Sequence, residues 1–207
     1  ISGISSYNRF KRILEEEVDE AVVRVAQESA DHLSSYLAQF ISPLVALADH
    51  QDIKSMDIEK QKAIIMSQIN PTYLNIAVVD ANGNAYYIDG TVLDLDDREY
   101  IKETMRGNIT FSDVIVSRVT DTPVIMVGVP IKDGGAIKGA LIARLDVDFL
   151  SNFAKTRGYG NYGRAYIISS TGCLISRPEK EKSEDVFYMS DLVQKDGRYT
   201  YFAEFVN

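Results

Sequence analysis

Six polar residues in the middle of the chain fall outside its turns: Arg98, Tyr100, Asp113, Ser117, Arg144 and Asp146. Their types suit binding better than bond-breaking. A guanidinium presents a planar fork of donors that matches a carboxylate, and a strand-borne carboxylate suits an ammonium. Tyr100 and Ser117 add hydroxyls. A catalytic set is missing from the pattern, because the sequence has no Ser/His/Asp group near these residues, no nucleophile elbow and no phosphate loop. The glycines between 158 and 163 do not form a GxGxxG following a strand. The only histidines, His32 and His50, both lie in the N-terminal helical region and read as structural or solvent-facing. No Cys/His grouping has metal-ligand spacing, and the one cysteine, Cys173, cannot form an internal disulfide. The residues call for a bound small molecule and for no cofactor.

Two readings compete for Arg98. Either it pairs on the surface with Asp94 or Asp97, or it points into the cup of a sheet and grips a carboxylate. Asp146 ends a strand on a face that, Arg144 apart, is small and apolar, so alternation predicts a buried carboxylate that needs a partner. Arg144, a backbone cap and a ligand ammonium are the candidates. On the stretch Phe111–Arg118 the same alternation puts Asp113, Ile115 and Ser117 on one face, opposite Ser112, Val114 and Val116.

The elements that must position these residues can be read in order. Residues 7 to about 50 predict one long helix, with Leu14, Val18, Val22, Val25, Leu33, Tyr36, Phe40 and Leu44 forming an apolar stripe and Pro43 kinking or resetting it. At 1.5 Å per residue it reaches about 60 Å, more than one small domain spans, so it either spans two packed units or continues outward as a stalk or dimer contact. A second helix is expected over Ile58–Ile69, capped by Asp57. Strands follow at 74–80 and 84–89, joined by an Asn82-Gly83 hairpin turn. A polar connection, Thr91–Asp97, leads to a helix from Arg98, capped by Asp96 or Asp97 and ending near Gly107. Three more strands, Phe111–Arg118, Pro123–Ile131 and Ala136–Val147, and a short helix to Thr156 complete the unit. Short turns with one helical crossover predict an antiparallel sheet and an α+β class. After a Gly-rich hinge at 157–163, the pairs 164–169 and 173–177 and a strand at 199–206 read as a second, small or truncated copy.

Bulk properties narrow the partners. A net charge of −8 with scattered basic residues excludes a nucleic-acid surface, though not one local cationic site. No run approaches the length of a membrane span. The chain opens on Ile rather than Met and reads as an excised piece of a longer protein.

The long helix, the sheet holding DREYIKETMRGN, then SDVIVSRVTDTPVIMVGVPI and GALIARLDVDFL resemble the double Cache (PAS-like) extracellular sensor domain of bacterial and archaeal transmembrane receptors. The resemblance covers nearly the whole chain and implies a long helix (1–50), a membrane-distal ligand-binding unit (51–156) and a membrane-proximal unit (157–207). It implies a location outside the membrane, anchored by flanking segments, in a chemoreceptor, sensor histidine kinase or diguanylate cyclase, and no enzymatic activity of the domain itself. By position, Arg98 would hold a ligand carboxylate and Asp146 an amine, with Tyr100, Ile115 and Ser117 lining the pocket. The family's amino-acid-binding pattern carries aromatics where Ile101 and Leu93 stand and near Ile115. Tyr87 is a replacement ring, while Arg98 and Asp146 keep a zwitterion or small carboxylate as the expected ligand. Homodimerisation through the N-terminal helix is expected. The rival from another class is a structural module that signals through dimer contacts or a protein partner.

Overall fold

The computed structural model describes residues 2–68, 73–157, 165–168 and 175–176. Helix α1 (Ser2–Ala48) is followed by α2 (Gln51–Lys54) and α3 (Ile58–Gln68). Strands β1 (Asn75–Val79), β2 (Asn84–Tyr87) and β3 (Val92–Asp94) lead to helix α4 (Glu99–Met105). Strands β4 (Thr110–Phe111), β5 (Ile115–Val116), β6 (Pro123–Asp133) and β7 (Ala136–Asp146) then precede helix α5 (Asp148–Lys155). The expected α+β class holds, and all strand pairings are antiparallel. Spatial order is β3-β2-β1-β7-β6-β4, with β5 also on β6, so the last strand lies beside the first at the centre.

Alternation along the strands divides the core into two faces. Ile76, Val78, Leu141, Ala143 and Leu145 point to one side, where Phe40, Leu44 and Leu47 of α1, Ile53 of α2 and Ile65 of α3 cover them. Ala77, Val79, Ala140 and Ile142 point to the other, where Tyr100 and Ile101 of α4 lie over them with Tyr87. The strand connectivity requires α4 to cross this second face, because it links the β3 edge of the sheet to the β4 edge. Arg98, Tyr87, Tyr100 and Arg144, the candidate site residues, belong to that face.

Several local expectations are corrected. The connection at 91–97 contains a strand, β3, paired with β2 from Asn84↔Asp94 to Tyr86↔Val92. The stretch from 111 to 118 is two short strands rather than one. Between them Ser112 Oγ accepts from Met126 N (2.9 Å) and donates to Asp113 O (2.7 Å), so a side chain fills the ladder position a carbonyl would occupy. No side chain caps α4, whose N-cap is Arg98 itself. Asp97 is engaged by another arginine, and Asp96 packs on the hairpin turn. A Cβ at Gly83 (φ +89°) would lie 2.7 Å from Asp96 Cβ, so glycine meets both the left-handed turn and this close approach. Asp57 does cap α3, accepting from Glu59 N and Lys60 N at 3.1 and 3.4 Å.

Pro43 does not end α1, which runs through it for 47 residues, about 70 Å. The lost N–H falls opposite the Gln39 carbonyl. One residue along, the Phe40 carbonyl accepts a 2.7 Å hydrogen bond from the Tyr73 hydroxyl, and Leu44 and Leu47 are buried on the sheet. Packing and this bond hold the interrupted turn. Tyr73→Phe is expected to cost about 1 kcal/mol at neutral pH. Burial raises the Tyr73 hydroxyl from its ordinary 10.0 to about 12. Its contribution is therefore complete below the unfolded value and is lost as pH rises through the folded one. Denaturant unfolding at about pH 8 and about pH 11 checks this, since the variant lacks that share of the alkaline fall.

The first half of α1 extends past the sheet, with Tyr7, Phe10 and Leu14 more than half exposed, whereas Leu33, Leu37 and Phe40 are buried. The expected strand pair near 164–177 is described only at 165–168 and 175–176. There Ile175 N and Ser176 N donate to Ile167 O (2.8 and 3.2 Å), and Ile167 packs with Leu33, Leu150 and Ala154. The glycines of the hinge, Cys173 and the strand at 199–206 lie outside the described residues.

Candidate functional site

On the face under α4, Tyr87 of β2, Tyr100 of α4, and Val124, Met126 and Ile142 of β6 and β7 form one apolar cluster, with Leu93, Met105, Ile115 and Val119 at its border. Two arginines are set into it. Arg144 pairs with Met126 across the β6–β7 ladder and with Asn75 across β1–β7, so it projects from the sheet's central strand. It is 8% exposed. Arg98 sits at the start of α4, which turns its side chain toward the same place. Burial raises the Tyr87 hydroxyl above its ordinary value, while the charges of Arg144 and Arg98 act in the opposite direction. Both guanidinium groups therefore lie within electrostatic reach of one phenol. The Tyr100 hydroxyl is raised more strongly, again by burial, with Tyr87 adding to the rise and Arg98 opposing it.

Neither arginine is paired. The Nε atoms of Arg98 and Arg144 are buried with no hydrogen-bond partner, and among the described residues neither side chain forms an ion pair. Among the described residues, the one hydrogen bond from either side chain runs from Arg144 Nη1 to Ser117 Oγ at 3.3 Å. A buried cation without a counter-ion is costly, and folded chains retain one where something else supplies the anion.

Acids nearby are turned to other tasks. The surface pairing considered for Arg98 is made instead by Arg118, which donates to Asp97 Oδ1 and Oδ2 (3.0 and 2.6 Å) and to Asp94 O (2.7 Å). That fork holds the Asp97 carboxyl below its usual range and ties the β3–α4 connection to the end of β5. Asp89 is also held low, first by hydrogen bonds from Thr91 and further by the charge of Arg144.

The structure thus brings together Arg98, Tyr87, Tyr100, Ile115 and Ser117. Ser117 also accepts from Val119 N and Thr120 N, so it acts here by holding Arg144. Asp113 is half-buried between β4 and β5. The expectation of a buried Asp146 is corrected: the residue is exposed, and its carboxylate accepts from Asp148 N at 2.9 Å, starting α5. Alternation sets the correct face, but the strand ends there and the face opens to solvent. Arg118 was not legible as a clamp, because its partner is 21 residues away in sequence.

No group of three or more His, Cys, Asp or Glu among the described residues is arranged to hold a metal ion. No described helix is long and apolar enough to cross a membrane.

A Cache domain family model matches residues 10–205. Among solved structures, the ligand-binding domain of the Pseudomonas fluorescens chemoreceptor CtaA with L-isoleucine superposes with a TM-score of 0.73 at 17% identity, over 90% of this chain and 78% of that one. The same domain with L-serine gives 0.70 at 16% identity, over 89% and 82%. The sensory domain of the Campylobacter jejuni chemoreceptor Tlp3 with isoleucine bound gives 0.62 at 16% identity, over 80% and 73%. At these identities the likeness is one of fold. No curated protein matches the sequence.

Proposed function

The chain belongs to the Cache domain family, and from that premise we propose that it is the ligand-binding sensor domain of a transmembrane receptor, facing the outside of the membrane, whose distal unit takes a small carboxylate or amino-acid-like ligand. The observation that supports this most is the pair of buried Nε atoms without acceptors, on the half-buried Arg98 and the buried Arg144, around Tyr87 and Tyr100. A carboxylate supplies the acceptors both forks lack, and the rings supply apolar walls. The amino acids named for the CtaA and Tlp3 structures fit the same class of guest.

Ligand entry draws α4 and the β3 edge onto the sheet, and the response passes to α1, which packs on the sheet's opposite face. The apolar side chains exposed on the first half of α1, among them Phe10 and Leu14, suit pairing with a second α1 in a homodimer. The domain binds rather than transforms, and an output module, whether kinase, cyclase or chemoreceptor, belongs to the remainder of the receptor.

Thermal unfolding against a panel of amino acids and small organic acids tests the reading. A ligand at a hundredfold excess over its Kd stabilises by about 2.7 kcal/mol, about 5–10 °C for a chain of this size. A panel without a single shift favours a module that relays signals only through protein contacts.

A further inference from the structure

We propose that the guest of this site is a small dianion, a short dicarboxylate, rather than a zwitterionic amino acid. The inference rests on the reading of the site given above and specifies its ligand. One carboxylate answers one guanidinium; the second, Arg144, is 92% buried, has no acceptor on its Nε and forms no salt bridge among the described residues. The exposed Asp89 carboxylate acts on it through charge at a distance, so a second anionic end on the ligand supplies the direct contact. The only side-chain hydrogen bond of Arg144 among the described residues goes to a neutral hydroxyl, Ser117 Oγ. A zwitterion answers this need poorly, because an ammonium placed beyond its carboxylate meets the charge of whichever arginine the carboxylate does not occupy. The acid available to receive that ammonium, Asp146, is exposed and already accepts from the Asp148 backbone, outside the buried part of the face. Asp89, exposed and held by Thr91, acts on Arg144 through charge without a salt bridge among the described residues, and Asp97, which feels Arg98, is clamped by Arg118. Tyr87, which feels both positive charges, stands where a hydroxyl can donate to a bound oxygen.

Isothermal titration with malonate, succinate and glutarate, with butyrate and with L-2-aminobutyrate separates the possibilities. The best diacid is expected to bind at least about 100-fold tighter than butyrate or the amino acid. Arg144→Met is expected to reduce the diacid to the level of butyrate and to raise the Tm of the ligand-free protein, since a buried charge without a direct ion-pair partner is removed. Arg144→Gln, which keeps a donor for Ser117, gives the same loss of affinity should the methionine variant fold poorly. Diacids binding no tighter than butyrate or L-2-aminobutyrate, or a diacid affinity indifferent to Arg144, overturns the dianion while the carboxylate site stands. Failure of all five compounds to bind overturns both.

Discussion

Arg98→Ala is expected to erase ligand-induced stabilisation, turning a gain of about 2.7 kcal/mol at a hundredfold excess over Kd into none. Loss of a buried, charge-assisted contact to a ligand costs about 2–5 kcal/mol, about 30-fold to several thousandfold in affinity. The ligand-free protein should lose little, because Arg98 Nε has no partner and the side chain holds no ion pair among the described residues. This asymmetry separates a binding residue from a structural one. A structural arginine, removed, lowers the melting temperature of the empty domain and leaves the ligand's increment intact. Thermal unfolding of both proteins, with and without ligand, checks it.

The second large effect concerns how α4 is seated. Gly128 lies on β6 directly beneath the helix, and a Cβ there would meet Thr104 Oγ1 and lie 2.6 Å from Thr110 Oγ1. Neither threonine can retreat cheaply. Thr104 is fully buried, and its hydroxyl hydrogen-bonds the Tyr100 carbonyl and Thr110 Oγ1, both at 2.7 Å. Gly128→Ala is therefore expected to destabilise by about 2–4 kcal/mol, combining overpacking with loss of this bond. Tyr100 and Ile101 would move with the helix, so ligand affinity should fall as well. Denaturant unfolding gives the first quantity and titration the second. An alanine variant of unchanged stability would mean that α4 does not rest on the sheet as described.

Most of the framework was legible in the sequence because it follows from period and punctuation. Alternation in β7 separated Ala140, Ile142 and Arg144 from Leu141, Ala143 and Leu145, and these two sets face opposite layers of core. Asn82-Gly83 marked its turn, and Gly107 marked the end of α4 with φ +101°. What escaped depends on tertiary partners. Pro43 announced a kink or reset, and α1 continues through it with the Tyr73 hydroxyl on the Phe40 carbonyl. The strand from 111 to 118 divided because the Ser112 side chain entered the ladder. Asp146 has the right parity but lies where the strand emerges into solvent, and the Arg118 clamp joins segments that no local signal connects.

Within the candidate site, Arg98 was legible as a possible carboxylate contact, while Arg144 was weighed beside a backbone cap and a ligand ammonium as the partner of Asp146. The structure pairs Arg144 with Ser117 and leaves its Nε without an acceptor. That difference moves the expected ligand from one positive and one negative contact toward two positive ones. It also lets a chain of net charge −8 carry a cationic site, since its acids are spread over the surface and clamped at the rim.

A crystal structure of the domain with its tightest-binding carboxylate tests the central claim most directly. The account predicts carboxylate oxygens within about 3 Å of both Arg98 Nε and Arg144 Nε, between the rings of Tyr87 and Tyr100. A ligand seated elsewhere, or guanidinium groups that turn to solvent and leave it untouched, would contradict it.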